Sequence, residues 1–264
     1  MIINGSIEPH AHLLTTPPGG QRIFKLMRAE HLIQAIEGGY LHFNRVDAYV
    51  DFPTADPADG AELPLDQISN QATTFEKASQ FSLSDYYARS RGRTYACCFS
   101  LENSDYIWEH YGLGSPIGQI GLEFDFEKTR SMLNQLLARK SAIMYGNSQL
   151  LQIFSINYGL INYVNRSTHR ANAEQPVNPI QYSYIKDECY SSERELRITL
   201  TALGMGRFML NDSHEIEFPP TLQLAFDYRR AFAEGAIHQI LLAPNTDRTL
   251  LVQELNRLGI SPAP

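Results

Sequence analysis

The chain has only three cysteines, one tryptophan and no long apolar run in its 264 residues. Three cysteines are too few for a disulfide framework, so we expect reduced, mostly buried thiols and a cytoplasmic protein. Residues 1–16 show no basic stretch followed by an apolar one, which argues against a signal peptide. The longest apolar-leaning stretches are far shorter than the ~20 residues that span a bilayer, so we expect no membrane partner.

Basic charge is also scarce, because 22 Lys and Arg residues face 29 Asp and Glu residues, for a net charge of -7. This balance argues against a general electrostatic footprint for duplex DNA, although a small basic groove remains compatible with it. Arg89, Arg91 and Arg93 form one local basic cluster, for which we expect a solvated turn. Hydrophobic residues make up 43 % and charged residues 19 %, which excludes a disordered or fibrous chain.

Several common catalytic motifs are missing. The sequence has no G-x-x-x-x-G-K-[ST] phosphate loop and no G-x-S-x-G nucleophile elbow. It has no C-x-x-C pair, and its eight histidines include no H-E-x-x-H helix, so we predict no metal site.

Apolar patterning predicts an α+β fold rather than a doubly wound one, because strands outnumber helices and do not alternate regularly with them. We expect a flexible segment over 1–20 and a single domain over 21–264. Its core would be a mixed or split antiparallel β-sheet flanked by helices. The predicted strands cover 23–27, 40–43, 95–101, 119–126, 180–185, 196–200 and 237–242. The predicted helices cover 29–37, 70–93, 129–141, 150–164 and 246–258.

The segment 47–67 is acidic and rich in proline. Asp56, Asp59 and Glu62 are oxygen ligands on a turn and could hold a cation. Their spacing does not match the twelve-residue calcium loop, and Pro57 interrupts it. We therefore expect a solvated acidic surface loop.

Two carboxylates, Glu193 and Glu195, precede the predicted strand 196–200. Residues two apart in a strand point to the same side, so the two like charges would repel, and burial would raise one pKa. A cation, a hydroxyl substrate or an arginine would compensate, and Arg197 continues the same alternation. The alternative is a solvated edge of charged residues with an internal ion pair.

An ordered set of short segments resembles an uncharacterised family of bacterial proteins known as a domain of unknown function. The segments are Ile23-Phe24-Lys25-Leu26, Phe43-Asn44-Arg45-Val46-Asp47, Asp59-Gly60-Ala61-Glu62, Cys98-Phe99-Ser100, Trp108-Glu109-His110-Tyr111-Gly112, Ile120-Gly121-Leu122-Glu123-Phe124, Ile180-Gln181-Tyr182, Lys186 and Glu193-x-Glu195-x-Arg197. The chain departs from the family in its loop, which is stretched over 51–62. The family label implies no activity.

The order of a basic residue, a serine and an E-x-E also resembles the ADP-ribosyltransferase superfamily. This resemblance implies a split-sheet fold and NAD as the substrate, with no metal. It makes Glu195 the catalytic carboxylate and Glu193 the group that orients the acceptor. The implied NAD contacts are Lys25 (or Arg22), Ser100, Tyr111 (or Trp108) and Arg197. The first strand departs from the family, because neither Arg22 nor Lys25 sits in a recognisable motif.

Two functions follow from these observations. The first is an NAD-dependent ADP-ribosyltransferase or NAD glycohydrolase of bacterial toxin or phage-defence type, with a protein or nucleic acid as acceptor. The second is a non-catalytic protein-binding module of a bacterial defence or regulatory system, in which Glu193, Glu195 and Arg197 form an ion-pair network. A nuclease is a third candidate, weakened by the lack of a metal cluster in the sequence.

Overall fold

A mainly antiparallel β-sheet flanked by helices organises the chain. The computed structural model describes residues 7, 13–51, 55–76, 78–137, 142–150, 152–171, 177–204, 206–210 and 214–260. The predicted α+β class is confirmed, and the described residues form a single-domain fold. Among them, no helix has the length and apolar character needed to cross a membrane.

The strands differ widely in length. They are β1 (Arg22–Arg28), β2 (Tyr40–Arg45), β3 (Thr74–Phe75), β4 (Ala78–Ser82), β5 (Thr94–Ser100), β6 (Gln119–Asp125), β7 (Ile143–Tyr145), β8 (Ser148–Gln149), β9 (Ile153–Leu160), β10 (Asn162–Val164), β11 (Ile185–Asp187), β12 (Glu195–Ala202), β13 (Arg207–Met209), β14 (Glu215–Glu217), β15 (Thr221–Ala225) and β16 (Ile237–Leu242).

The helices lie between these strands. They are α1 (Ala29–Gly38), α2 (Pro64–Gln71), α3 (Leu83–Arg91), α4 (Asp105–His110), α5 (Phe126–Leu137), α6 (Tyr228–Ala233) and α7 (Arg248–Arg257). Short 3-10 helices cover Val46–Asp51, Pro179–Tyr184 and Glu188–Glu193.

The main sheet splits at β5. Within the described residues it has ten strands, in the order β16-β6-β1-β5-β2-β15-β7-β8, with β12 paired to β5 and β9. Along one edge of β5, β12 pairs from Glu195 opposite Ser100 to Thr201 opposite Thr94. Along the other edge, β1 pairs at the Ser100 end and β2 pairs near Tyr95. Strands β1 and β2 therefore share one edge of β5, and the sheet branches there.

Strand β12 is buried on both faces, which is unusual for a strand that carries charge. Leu196, Ile198 and Leu200 point into the main apolar core. The alternate residues point to the other face. That face is covered by the 3-10 helix Pro179–Tyr184, from which the Tyr184 hydroxyl contacts Thr199 Oγ1 at 3.0 Å. A polar layer is therefore enclosed between the sheet and this covering segment.

Three element predictions are wrong. Residues 70–93 are not one helix, because the chain forms the β3–β4 hairpin and then starts α3 at a capping box between Ser82 and Asp85. The predicted helix 150–164 is replaced by β9 (Ile153–Leu160) and β10 (Asn162–Val164), since β9 gains hydrogen bonds along β12. Residues 180–185 are mostly a 3-10 helix, which Asn178 caps by accepting the Ile180 N–H.

The acidic loop is not a solvated surface loop, as the sequence led us to expect. Asp56 is 3 % exposed and Asp59 is 1 % exposed. Arg91 holds the loop through hydrogen bonds from its guanidinium to the carbonyls of Pro57 and Asp59. The loop is instead packed into the protein with its carboxylates inward.

The structure describes only part of the predicted flexible segment 1–20. Ile7 lies in the apolar core, and the Thr15 carbonyl accepts the Leu160 N–H at 2.8 Å. The prediction for residues 1–6 and 8–12 falls outside the described residues.

Candidate functional site

Five charged side chains are buried together in the polar layer. They are Asp59, Lys186, Glu193, Glu195 and Arg197, and none is more than 5 % exposed. We call them the buried charge cluster. Charged groups are rarely buried so completely unless they are paired with opposite charges.

Arg197 uses all five of its guanidinium donors within the protein. Its Nη1 and Nη2 donate to the two carboxylate oxygens of Asp59, each at 2.8 Å. Its Nε and Nη2 donate to Glu195 at 2.7 and 3.1 Å, and Nη1 also donates to the Ser183 carbonyl at 2.8 Å. Arg197 therefore has no donor left for a ligand phosphate, and it holds Glu195 in place.

Lys186 joins the two carboxylates of the E-x-E. Its Nζ donates to Glu193 Oε2 at 2.5 Å and to Glu195 Oε2 at 3.1 Å. Strand β11 carries Lys186 to this point by pairing in parallel with β10. Burial alone would lower the pKa of Lys186, but the carboxylates of Glu195, Asp59 and Glu193 outweigh burial and raise it. Lys186 is therefore a firmly charged bridge.

The two carboxylates converge by a different route from the one the sequence suggests. Glu193 ends a 3-10 helix and Glu195 begins β12, so the two are not neighbours on one strand face. Arg194 between them has φ 45° and ψ 55°, in the left-handed region that non-glycine residues seldom occupy. This turn directs both carboxylates to Lys186. The alternative of a solvated edge is wrong, although its internal ion pair between Glu195 and Arg197 is present.

The environment separates the pKa values of the two carboxyl groups. Burial raises the pKa of Glu193 above its ordinary value, and Lys186 only partly opposes this effect. Burial also acts to raise the pKa of Glu195, but the charges of Arg197 and Lys186 outweigh it and hold that pKa low. Glu195 is thus the member of the pair that is ionised at neutral pH, and Glu193 is the one suited to exchange a proton.

Ser100 and Tyr111 both contact Glu193. Ser100 lies opposite Glu195 in the sheet register, and its Oγ is 2.8 Å from the Glu193 carbonyl, which it faces as a donor. The Tyr111 hydroxyl donates to Glu193 Oε1 at 2.6 Å. The structure thus brings Ser100 and Tyr111 to Glu193, which lies more than 80 positions further along the sequence.

Lys25 is not brought to the same place. It follows Phe24, which pairs with Ser100, so its side chain points to the opposite face of the sheet. Its Nζ lies 5.1 Å from the centre of the Phe99 ring and donates to the Cys98 carbonyl at 3.1 Å. Lys25 therefore fills the split between β1 and β2, away from the carboxylates.

Four half-buried tyrosines surround the buried charge cluster, and we call them the tyrosine rim. They are Tyr106, Tyr111, Tyr163 and Tyr190. The Tyr163 hydroxyl accepts the Glu195 N–H at 2.9 Å, and Lys186 Nζ lies 5.4 Å from the centre of the Tyr190 ring. Tyr106 lies close enough to Glu193 for that charge, after burial, to raise its pKa. Sites for small molecules commonly combine aromatic side chains with a few convergent polar groups.

Sequence reasoning missed part of this site. Asp59 was considered only as a cation ligand and within the family resemblance, and Lys186 only within that resemblance. Tyr106, Tyr163 and Tyr190 were not singled out. Their spacing follows no short pattern, so only the order of motifs that the chain shares with its resembled family could have linked them to the site. In the part of the chain that the structure describes, no group of three or more His, Cys, Asp or Glu side chains is arranged to hold a metal ion.

Comparisons of the chain with models of known families, with curated proteins and with solved structures found no match. The resemblances to the family of unknown function and to ADP-ribosyltransferases therefore stay predictions.

Proposed function

We propose that the chain cleaves the bond between ribose and nicotinamide in NAD and transfers the ADP-ribosyl group to an acceptor. One observation carries the proposal. An ionised carboxylate, Glu195, and a carboxyl group with a raised pKa, Glu193, share Lys186 beside Ser100 and beneath Tyr111. The branched sheet and the tyrosine rim around this pair also support the proposed activity.

The chemistry requires one fixed negative charge and one group that accepts a proton. The electron pair of the ribose–nitrogen bond leaves with nicotinamide, and positive charge develops on the ribose ring. Glu195 stabilises that charge because Arg197 and Lys186 keep it ionised. The hydroxyl of water or of an acceptor then bonds to the ribose carbon, and its proton passes to Glu193, since a raised pKa suits a general base.

Other residues support the two carboxylates. Arg197 and Ser100 position Glu195 and Glu193, respectively, and neither needs to touch NAD. The rim tyrosines offer stacking faces for nicotinamide. Because both glutamate side chains are only 5 % exposed, binding requires rim side chains to turn outward. The reaction would take place in the cytoplasm, in a toxin or phage-defence role, on a protein or nucleic acid acceptor.

The test uses labelled NAD, a cell lysate, and three proteins: wild type, Glu195→Gln and Glu217→Gln. Glu217 is an exposed glutamate on β14 and serves as the matched control. We expect nicotinamide release and label on macromolecules with wild type and Glu217→Gln, and neither with Glu195→Gln. Release without label would indicate an NAD glycohydrolase. Equal release by Glu195→Gln would contradict the proposal.

A second candidate is a non-catalytic binding module. The observation that favours it is the complete pairing of the Arg197 donors, which is typical of a structural network. In that case millimolar NAD would neither react nor raise the melting temperature of the wild type. A true ligand would raise it by mass action.

A further inference from the structure

The carboxylate of Asp56 is half paired although it is buried. The residue is 3 % exposed, and its Oδ1 accepts the Ala58 N–H at 2.8 Å. Its Oδ2 is buried and has no hydrogen-bond partner among the described residues. A buried acceptor without a partner is costly, so such an atom usually marks a water or a ligand contact.

Asp56 lies in the same turn as Asp59, a member of the buried charge cluster. The Asp59 N–H donates to the Asp56 carbonyl at 3.1 Å, and Asp59 is the carboxylate that Arg197 holds. Asp56 also lies near the rim, because its charge, after burial, contributes to the raised pKa of Tyr190. The ring of Tyr190 in turn lies over Lys186. The turn 56–59 therefore joins Asp56 directly to the buried charge cluster, and Asp56 lies within electrostatic range of the rim.

A second unpaired atom lies against the same loop. Arg166 is 8 % exposed, and its Nη2 donates to the carbonyls of Ala61 and Glu62 at 3.1 and 3.0 Å. Its Nη1 is buried without a partner within the described part of the chain. The acidic loop and the Arg166 side chain packed against it thus hold one buried acceptor and one buried donor without partners among the described residues.

We propose that Asp56 Oδ2 is a hydrogen-bond acceptor for a hydroxyl or amide N–H group of the ligand that enters at the tyrosine rim. The inference rests on the proposed function, in which NAD carries both ribose hydroxyls and a carboxamide. Asp56 is then a specificity-determining residue, and ligands without such a donor bind poorly. A hydrogen bond to a charged acceptor is strong enough to change affinity by about tenfold or more.

The test separates a ligand contact from a structural one. Asp56→Asn keeps the oxygen that accepts the Ala58 N–H and removes the charge of the unpaired oxygen. Because no described residue donates a hydrogen bond to that oxygen, we expect an unchanged or higher melting temperature. Asp59→Asn, in the same turn, is the contrast and should melt at a clearly lower temperature, because it leaves Arg197 underpaired.

Binding is measured by calorimetric titration of NAD, ADP-ribose and nicotinamide into wild type and Asp56→Asn. We expect at least one probe to bind about tenfold more weakly to the variant. If every probe that binds wild type binds Asp56→Asn equally well, the inference fails and the proposed function stands. If wild type binds none of the probes, both fail. If Asp56→Asn melts several degrees lower, Asp56 has a structural role and the inference is overturned.

Discussion

Arg197 and Asp59 lie 138 positions apart in the sequence, yet two parallel hydrogen bonds of 2.8 Å join their side chains. Neither residue is more than 1 % exposed. The same guanidinium holds Glu195, so the acidic loop, β12 and the E-x-E form one connected unit. A change in the loop is therefore expected to reach the carboxylates through Arg197.

Replacing Arg197 with methionine should destabilise the protein strongly. The change leaves the carboxylates of Asp59 and Glu195 buried with too little compensating charge, which typically costs about 3–5 kcal/mol. Urea unfolding monitored by the fluorescence of Trp108 measures the free energy of unfolding.

The matched control is Arg207→Met on β13. Arg207 pairs with Glu215 at 3.1 Å, but their side chains are 63 % and 51 % exposed. Exposed pairs contribute about 0–1 kcal/mol, so this variant should resemble wild type. Similar losses in both variants would mean that the buried charge cluster gives no special stability.

The stability difference between wild type and Glu195→Gln should depend on pH. Arg197 and Lys186, acting against burial, lower the pKa of Glu195 below its ordinary value of 4.5. A lowered pKa contributes stability that is present above 4.5 and is lost as the pH falls through the folded pKa. The wild type should therefore lose its advantage over Glu195→Gln progressively below about pH 4.5.

Glu193→Gln should show the opposite trend. The pKa of Glu193 is raised, so the folded state favours its protonated form at low pH and loses that contribution as the pH rises past 4.5. The advantage of wild type over Glu193→Gln should thus shrink with rising pH. Parallel pH profiles for the two variants would contradict the assigned pKa directions.

Gly159 on β9 leaves space for the covering segment Pro179–Tyr184, because it has no side chain. A Cβ at this position would lie 3.1 Å from Leu14 Cβ and 3.2 Å from Tyr184 Cε1. Gly159→Ala should therefore push Tyr184 from the sheet and cost about 1–3 kcal/mol of unfolding free energy. In Gly19→Ala, the new Cβ would meet only Glu127 Oε1, at 3.4 Å, so unchanged or slightly higher stability is expected. Equal stability of the two variants would show that Tyr184 can move aside without loss of unfolding free energy.

Local patterns predicted much of the fold. The alternation in 119–126 and 196–200 identified β6 and the centre of β12, because strand faces repeat every two residues. The apolar run 150–164 predicts a helix wrongly, since a short apolar segment fits either structure until its neighbours are known. Pairing with β12 decides in favour of a strand.

The candidate site could be predicted only in part. Alternation correctly suggested Arg197 as the partner of Glu195, because the two residues share a strand face. The contact with Asp59 depends on how a loop folds over the sheet, and no local rule gives a pairing across 138 residues. The placement of Lys25 on the other face follows from its register opposite β5, which the sequence did not define.

The division of charge between Glu193 and Glu195 is the basis of the whole account. Carbon-13 NMR of labelled glutamate carboxyl groups follows each titration directly, with Glu193→Gln and Glu195→Gln supplying the assignments. We predict that the Glu195 carboxyl titrates below 4.5 and the Glu193 carboxyl above it. Two titrations at the ordinary value, or the reverse order, would contradict the account.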